Sequence, residues 1–151
     1  MIIIKKLFYL FLPLLCGSII GLIISSSIDY GIINKPLLSP PGFIFPIVWS
    51  IIYILMGISY LLFKNEYPNN TPKESKVYYA QLIVNLSWSI FFFVLKWRLF
   101  TIFWTILLLV LVIYLIYLFF QKKRISAYLN IPYLLWLIFA TYLTIGVYIL
   151  N

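Results

Sequence analysis

Aromatic and small residues recur at helical spacing inside the apolar stretch 43–63. Trp49, Tyr53 and Gly57 follow one another at intervals of four residues. In a helix this spacing places an indole, a phenol and a gap on one face, which makes a wall suited to a flat ligand. Aromatic faces hold planar apolar molecules by stacking and burial, so these residues could bind such a ligand; the alternative for each ring is packing within the protein or a place at the membrane interface.

A second group lies in the apolar stretch 77–95, where Gln81, Asn85 and Trp88 stand at positions i, i+4 and i+7. A side-chain amide without a partner in hydrocarbon is costly, so we expect this face to lie inside a helix bundle. Two roles are compatible with it there. The polar groups bond neighbouring helices, at about 1 kcal/mol per contact, or they present polar tips to a ligand.

A third group follows one face of the last apolar stretch and comprises Tyr133, Trp136, Ala140 and Thr144. The small Ala140 leaves room for a flat ligand or for the close approach of another helix. The same choice applies to Gly17 and Gly21 in the first apolar stretch. Their GxxxG spacing is typical both of dimer faces and of close packing within one bundle.

The residue types that are absent exclude most catalytic chemistry. The chain has no histidine and one cysteine, which excludes Ser/His/Asp and Cys/His catalysis and disfavours a metal site. The acidic residues Asp29, Glu66 and Glu74 are all predicted to lie in loops. No carboxylate is then expected at membrane depth, where a proton- or ion-coupled carrier needs one. We predict no metal and no required cofactor.

Composition indicates a membrane protein, because 65% of the residues are hydrophobic, 9% are charged and the mean hydropathy is +1.10. Clusters of charge divide the chain into five apolar segments, each long enough to cross a hydrocarbon core of about 30 Å. Lipid-facing backbone must satisfy its own hydrogen bonds, so the segments are predicted helices. We therefore predict an all-α integral membrane protein, one domain over residues 1–151, with a bundle of five transmembrane helices at about 7–25, 43–63, 77–95, 99–120 and 128–150.

The distribution of basic residues predicts the orientation of the bundle. Lys and Arg cluster at the N-terminus and after the second and fourth segments, with fewer after the first and third. The positive-inside rule then places the N-terminus in the cytoplasm, and the loop 30–42 and the C-terminus outside. The net charge of +8 is explained by this topology and by attraction to anionic lipid headgroups, and no nucleic-acid partner is predicted. The N-terminal apolar run resembles a signal peptide, but it continues through Ile24 without a small-x-small cleavage site, so we interpret it as a first membrane helix.

The sequence resembles the TspO/MBR family, the tryptophan-rich sensory proteins and translocator proteins, which include the peripheral-type benzodiazepine receptor. The matching residues are spread over nearly the whole length. In the first loop and second segment they are Tyr30, Asn34-Lys35-Pro36, Pro40-Pro41-Gly42, Phe45-Pro46, Val48-Trp49, Tyr53 and Met56-Gly57. In the third and fifth segments they are Gln81, Asn85, Trp88, Phe91-Phe92, Pro132-Tyr133, Trp136, residues 139–143 and Leu150-Asn151.

This resemblance implies a five-helix bundle with a pocket beneath the first loop, usually as a homodimer in a membrane, here expected to be a bacterial cell membrane. It implies porphyrins such as protoporphyrin IX as ligands and, in some members, sterols or benzodiazepine-type drugs. The residues that we expect to contact the ligand are Tyr30, Pro41, Phe45, Trp49, Tyr53, Gln81, Asn85, Trp88, Phe92, Tyr133, Trp136, Ala140 and Thr144.

The chain departs from the family pattern mainly in the first loop. Asp29 and Leu38 stand where the family usually has tryptophan. We expect loop contacts to a ligand to differ accordingly, and a tryptophan at position 38 to restore a contact over the pocket mouth.

Three functions share such a pocket. The first is a receptor or sensor for a planar ligand. The second is an enzyme that degrades porphyrin with light and oxygen, in which Trp49 and Trp136 are the residues to suspect. The third is a transporter of tetrapyrroles or sterols. Binding without product favours the first, and a new absorbing species under illumination favours the second.

Overall fold

A computed structural model describes residues 2–151, and the fold is all-α. Five helices in it are long and apolar enough to cross a membrane, which confirms an integral membrane protein with the predicted number of spans. No strand occurs between residues 2 and 151. The helices in chain order are α1 (Ile2–Ile24), α2 (Ile44–Glu66), α3 (Pro72–Ser89), α4 (Arg98–Lys122), the short α5 (Arg124–Tyr128) and α6 (Ile131–Leu150).

The first four helices extend beyond the charged end of the apolar segments from which they were predicted, whereas the fifth predicted span, 128–150, is interrupted by a turn at residues 129–130 that separates α5 from α6. A 3₁₀ turn, Ser25–Ser27, lengthens α1, and a π-helical turn, Ile90–Val94, lengthens α3. Hydropathy marks where the charges begin, whereas a helix continues for as long as its backbone bonds and caps allow. The start of α3 is an example, because Pro72 occupies its first turn, where the missing amide hydrogen has no partner to lose.

Two of the acidic residues lie in helices, so the prediction that all three fall in loops is wrong. Glu66 is the last residue of α2, and Glu74 lies in the first turn of α3, where a negative charge complements the helix dipole. Glu74 is buried and lies 2.9 Å from the Lys122 ammonium, which compensates for its lost hydration. Both carboxylates are at helix ends.

Glycines set the closest approach of α1 and α2. Gly57 of α2 lies against the backbone carbonyl of Leu10, where a Cβ atom would overlap it. Gly17 of α1 faces the ring of Tyr53 in the same way. Gly17 therefore packs inside the bundle, which is one of the two roles that its GxxxG spacing allows. Elsewhere α3 packs on α4, and α4 packs on α6.

The loop between α1 and α2 is fastened at both of its sides. Asn34 and the C-terminal Asn151 exchange hydrogen bonds between backbone and side chain. On the other side, Asp29 forms an ion pair with Arg98 at the start of α4. These contacts hold the loop across one end of the bundle.

Candidate ligand-binding cavity

A cavity of about 410 Å³ lies within the bundle beneath the first loop. Its size is within the range of small-molecule sites, and its lining is mainly apolar. Side chains of every long helix reach it. The sequence-predicted site residues at its wall are Tyr30, Phe45, Trp49, Tyr53, Asn85, Trp88, Phe92, Trp136, Ala140 and Thr144.

One wall is a chain of aromatic rings that descends from the loop. The Tyr30 ring centroid is 5.0 Å from that of Phe45, and Phe45 is 5.8 Å from Trp136. Trp136 meets Trp49 edge to face at 6.5 Å, and Trp49 lies 5.6 Å from Tyr53. Edge-to-face contact is a favoured geometry for aromatic pairs, so these rings orient one another. The helical spacing of Trp49 and Tyr53 thus produces the predicted aromatic wall.

A second part of the wall is built by α3 and its π-helical turn. Trp88 stacks on Phe92 with centroids 4.8 Å apart and ring planes 10° apart. The indole Nε1 of Trp88 donates to Thr105 Oγ1 of α4 at 2.6 Å, which fixes the ring. A π-helical turn shifts the helix face by one residue, and here it brings both Phe92 and Phe93 to the cavity.

A connected hydrogen-bond network forms the floor. The Tyr53 hydroxyl donates to Asn85 Oδ1 at 2.7 Å, and Asn85 Nδ2 donates to the Tyr133 hydroxyl at 2.7 Å. Tyr133 in turn donates to Gln81 Oε1 at 2.8 Å, and Gln81 Nε2 lies 3.4 Å from the sulfur of Met56. These bonds join α2, α3 and α6. The floor is polar in composition, but its hydrogen-bonding groups are occupied.

The structure does not bring three of the predicted ligand contacts to the cavity wall. Gln81 and Tyr133 are 0% and 2% exposed, and they lie behind Asn85 in the floor network. For Gln81 the bond to Tyr133 matches the first of the two roles derived from the sequence, the bonding of neighbouring helices, and Tyr133 is its partner in α6. Pro41 lies at the exposed surface of the loop, where its carbonyl accepts a hydrogen bond from Ile44 N.

Tyr30 connects the loop to the cavity. Its hydroxyl donates to the carbonyl of Pro40, while Lys35 Nζ donates to the carbonyl of Tyr30 at 2.8 Å and lies 4.8 Å from its ring centroid. Burial raises the pKa of the Tyr30 phenol, and a hydrogen bond with Ser39 offsets part of that shift. The phenol therefore stays neutral at physiological pH and keeps its bond to Pro40.

The two departures from the family pattern have different outcomes. Asp29 is largely buried and pairs with Arg98, so its charge is used within the fold. Leu38 is 84% exposed, has a φ of 69° and does not line the cavity. A tryptophan at position 38 would start from the same outward-facing, left-handed backbone, so the expected contact over the pocket mouth is not supported.

Sequence reasoning missed the contribution of α1. Leu14, Ser18 and Gly21 line the cavity, and a Cβ atom at Gly21 would meet nothing within 4 Å. The sequence signal for this contribution is the set of small residues Gly17, Ser18 and Gly21. Small residues on a helix permit close packing, but they also leave space where no neighbouring helix fills it, as at Gly21.

Comparison with known proteins gives a consistent assignment. The sequence profile of the TspO/MBR family matches residues 9–150. Tryptophan-rich protein TspO of Archaeoglobus fulgidus is 32% identical over 81% of this chain and 79% of its own length. The tryptophan-rich sensory protein of Cereibacter sphaeroides is 31% identical over 74% of this chain and 70% of its own. The translocator protein homolog of Schizosaccharomyces pombe is 31% identical over 92% and 87%. Because the family profile covers nearly the whole chain, this membrane protein belongs to the TspO/MBR family.

Proposed function

We propose that the chain is a membrane receptor that binds a porphyrin-type planar ligand, such as protoporphyrin, in this cavity. The observation that carries the proposal is the aromatic lining, contributed by α2, α3 and α6, of an apolar space of about 410 Å³. Burial of apolar area yields about 25 cal/mol per Å², and stacking on indole and phenol rings adds to it.

The floor favours an apolar ligand over a polar one. The amide and hydroxyl groups of Tyr53, Asn85 and Tyr133 are bonded to one another, so a ligand that needed them would have to break existing hydrogen bonds. Breaking such bonds leaves buried polar groups unpaired, at a cost of about 1–3 kcal/mol for each group. A flat hydrocarbon-rich ring can fill the space without that cost.

The test is a fluorescence titration of the purified protein with metal-free protoporphyrin. Binding should quench tryptophan emission, because Trp49, Trp88 and Trp136 line the cavity. Replacement of Trp49 or Trp136 by alanine should each weaken binding by about 1–3 kcal/mol through lost burial and lost stacking.

Trp97→Ala provides the matched control. Trp97 is 52% exposed, stacks on Phe91 and lies outside the cavity lining, so its loss should leave binding unchanged. Haem should bind no more tightly than the metal-free ring, because the chain has no imidazole to ligate iron. Equal losses in all three tryptophan variants, or a strong preference for haem, would contradict the assigned site.

The same titration separates binding from degradation. A receptor leaves the porphyrin spectrum intact after illumination in air, apart from the photobleaching that occurs without protein. A new absorbing species that forms with the native protein and not with Trp136→Ala would instead favour the porphyrin-degrading enzyme.

A further inference from the structure

We infer that the ligand of the cavity carries a carboxylate and that Lys96 binds this group in an open cleft beside the cavity. The inference rests on the proposed function and specifies its ligand class: a planar apolar ring with an acidic edge, as in a dicarboxylic porphyrin.

The cleft and the cavity are neighbours that share lining residues. The cleft lies between the end of α1, the first loop and the end of α3, and its polar wall includes Ser26, Ser27, Asp29 and Lys96. Ile28 and Phe93 line both spaces. A ring held in the cavity can therefore direct a short acidic substituent past Ile28 and Phe93 into the cleft.

Of the two cations near Asp29 at the cleft, Lys96 is the one that can bind an anionic ligand. The Arg98 guanidinium lies 2.6 Å from Asp29 Oδ2, and both side chains are largely buried, at 14% and 11% exposed. Lys96 lies farther from the same oxygen, at 3.8 Å, and its side chain is 58% exposed. Arg98 thus neutralises Asp29, and the net positive charge that remains is on Lys96. An anion is the complementary ligand for this arrangement.

Arg98 also contacts the cavity side. Its guanidinium carbon lies 4.9 Å above the ring of Phe92, a cavity residue, so the ion pair and the aromatic wall support each other. An acidic edge would keep its charge at the loop end of the bundle, where Ser26, Asp29 and Lys96 provide polar surroundings. The ring would occupy the apolar interior, so no charge has to enter it.

The experiment compares protoporphyrin with its dimethyl ester, which has the same ring and no charge. Both are titrated by tryptophan quenching in an uncharged detergent at low salt. The diacid should bind more tightly to the native protein, and Lys96→Gln should reduce the diacid-to-ester affinity ratio by about fivefold, the scale of a partly exposed ion pair. Asp29→Asn should raise that ratio, because it removes the one negative charge in the cleft wall.

Lys76→Gln is the matched control. Lys76 is an exposed lysine on α3, far along the helix from the cleft, and its replacement should leave the ratio unchanged. Salt gives a second readout. In the native protein, added NaCl should weaken the binding of the diacid more than the binding of the ester. In Lys96→Gln it should weaken the binding of both ligands equally.

The outcomes separate the two proposals. If both ligands bind and Lys96→Gln leaves their ratio unchanged, the carboxylate site is wrong and the receptor proposal stands. If neither ligand binds, the receptor proposal itself fails. A ratio that falls equally in Lys96→Gln and Lys76→Gln would mean a general charge effect and would also overturn the site.

Discussion

The two ends of the bundle use similar residues to opposite effect. At one end, which we call the packed end, Tyr60 stacks on Tyr78 with centroids 4.0 Å apart, and Phe63 stacks on Phe119 at 4.6 Å. At the other end, the cavity end, the rings of Trp49 and its neighbours surround a space of about 410 Å³. Aromatic content therefore does not decide whether a region becomes core or cavity.

The difference arises from what faces each ring across the bundle. At the packed end α2 approaches the backbone of α1 at Gly57, and rings from different helices meet face to face. At the cavity end α1 presents Ser18 and Gly21, and nothing lies within 4 Å of a Cβ built on Gly21. A ring opposite another ring fills the interior, whereas a ring opposite a small residue leaves space beside it.

Hydrogen bonds also distinguish the packed end from the cavity end. At the packed end Ser59 and Ser126 donate to each other's carbonyls at 2.7 Å, and Asn130 Nδ2 donates to Ser59 Oγ. These bonds fix α5 to α2. The floor network of Tyr53, Asn85 and their partners marks the boundary between the two ends.

The orientation of the protein in the membrane gives the largest expected effect, because a fused reporter is either active or inactive on a given side. Asn70 lies in the loop at the packed end, and Asn151 lies at the cavity end. A reporter fused at Asn70 should be active in the cytoplasm, and one fused at Asn151 should be active outside. Cytoplasmic signal from Asn151 would overturn the orientation predicted from the basic residues.

Gly57→Leu should destabilise the protein by about 3 kcal/mol or more, because the new side chain overlaps the backbone of Leu10, which cannot move aside. Thermal unfolding in detergent measures the loss. Gly21→Leu is the matched control, since the space around Gly21 is open and its melting temperature should stay near that of the native protein. Equal losses in both variants would mean that α1 and α2 are as close at the cavity end as at the packed end.

The same Gly21→Leu protein should lose about tenfold or more in porphyrin affinity, because the leucine side chain occupies part of the cavity. Titration by tryptophan quenching measures the change. Gly21→Ala adds one small group to open space and should retain most of the affinity. Undiminished binding by the leucine variant would place the ligand elsewhere.

Asn85→Leu should lower the free energy of unfolding by about 1–2 kcal/mol, because it leaves the Tyr53 and Tyr133 hydroxyls short of partners at the floor. Ser50→Ala is the comparison variant. Ser50 also lines the cavity, but its hydroxyl bonds only to the Pro46 carbonyl of its own helix, so its loss should change stability by less than about 0.5 kcal/mol. Similar losses would mean that the floor network does not join the helices.

Much of the site follows from helical periodicity. The spacing of Trp49 and Tyr53, and of Asn85 and Trp88, places each pair on one face, and the structure directs all four side chains to the cavity. Periodicity gives direction around a helix but not depth within the bundle. Gln81 shares the face of Asn85, yet it lies one turn deeper, where Tyr133 and Met56 enclose it.

The sequence by itself determined that the protein lies in a membrane, how many helices span it and which helix faces turn inward. These features depend on composition and on local spacing along each helix. Only the tertiary structure decided that Asp29 pairs with Arg98, that Gly17 faces Tyr53 and that Gly21 borders the cavity. Each of these contacts joins segments that are distant in the chain. Its geometry depends on how far apart neighbouring helices stand, which is set by the summed packing of the whole bundle rather than by any one segment.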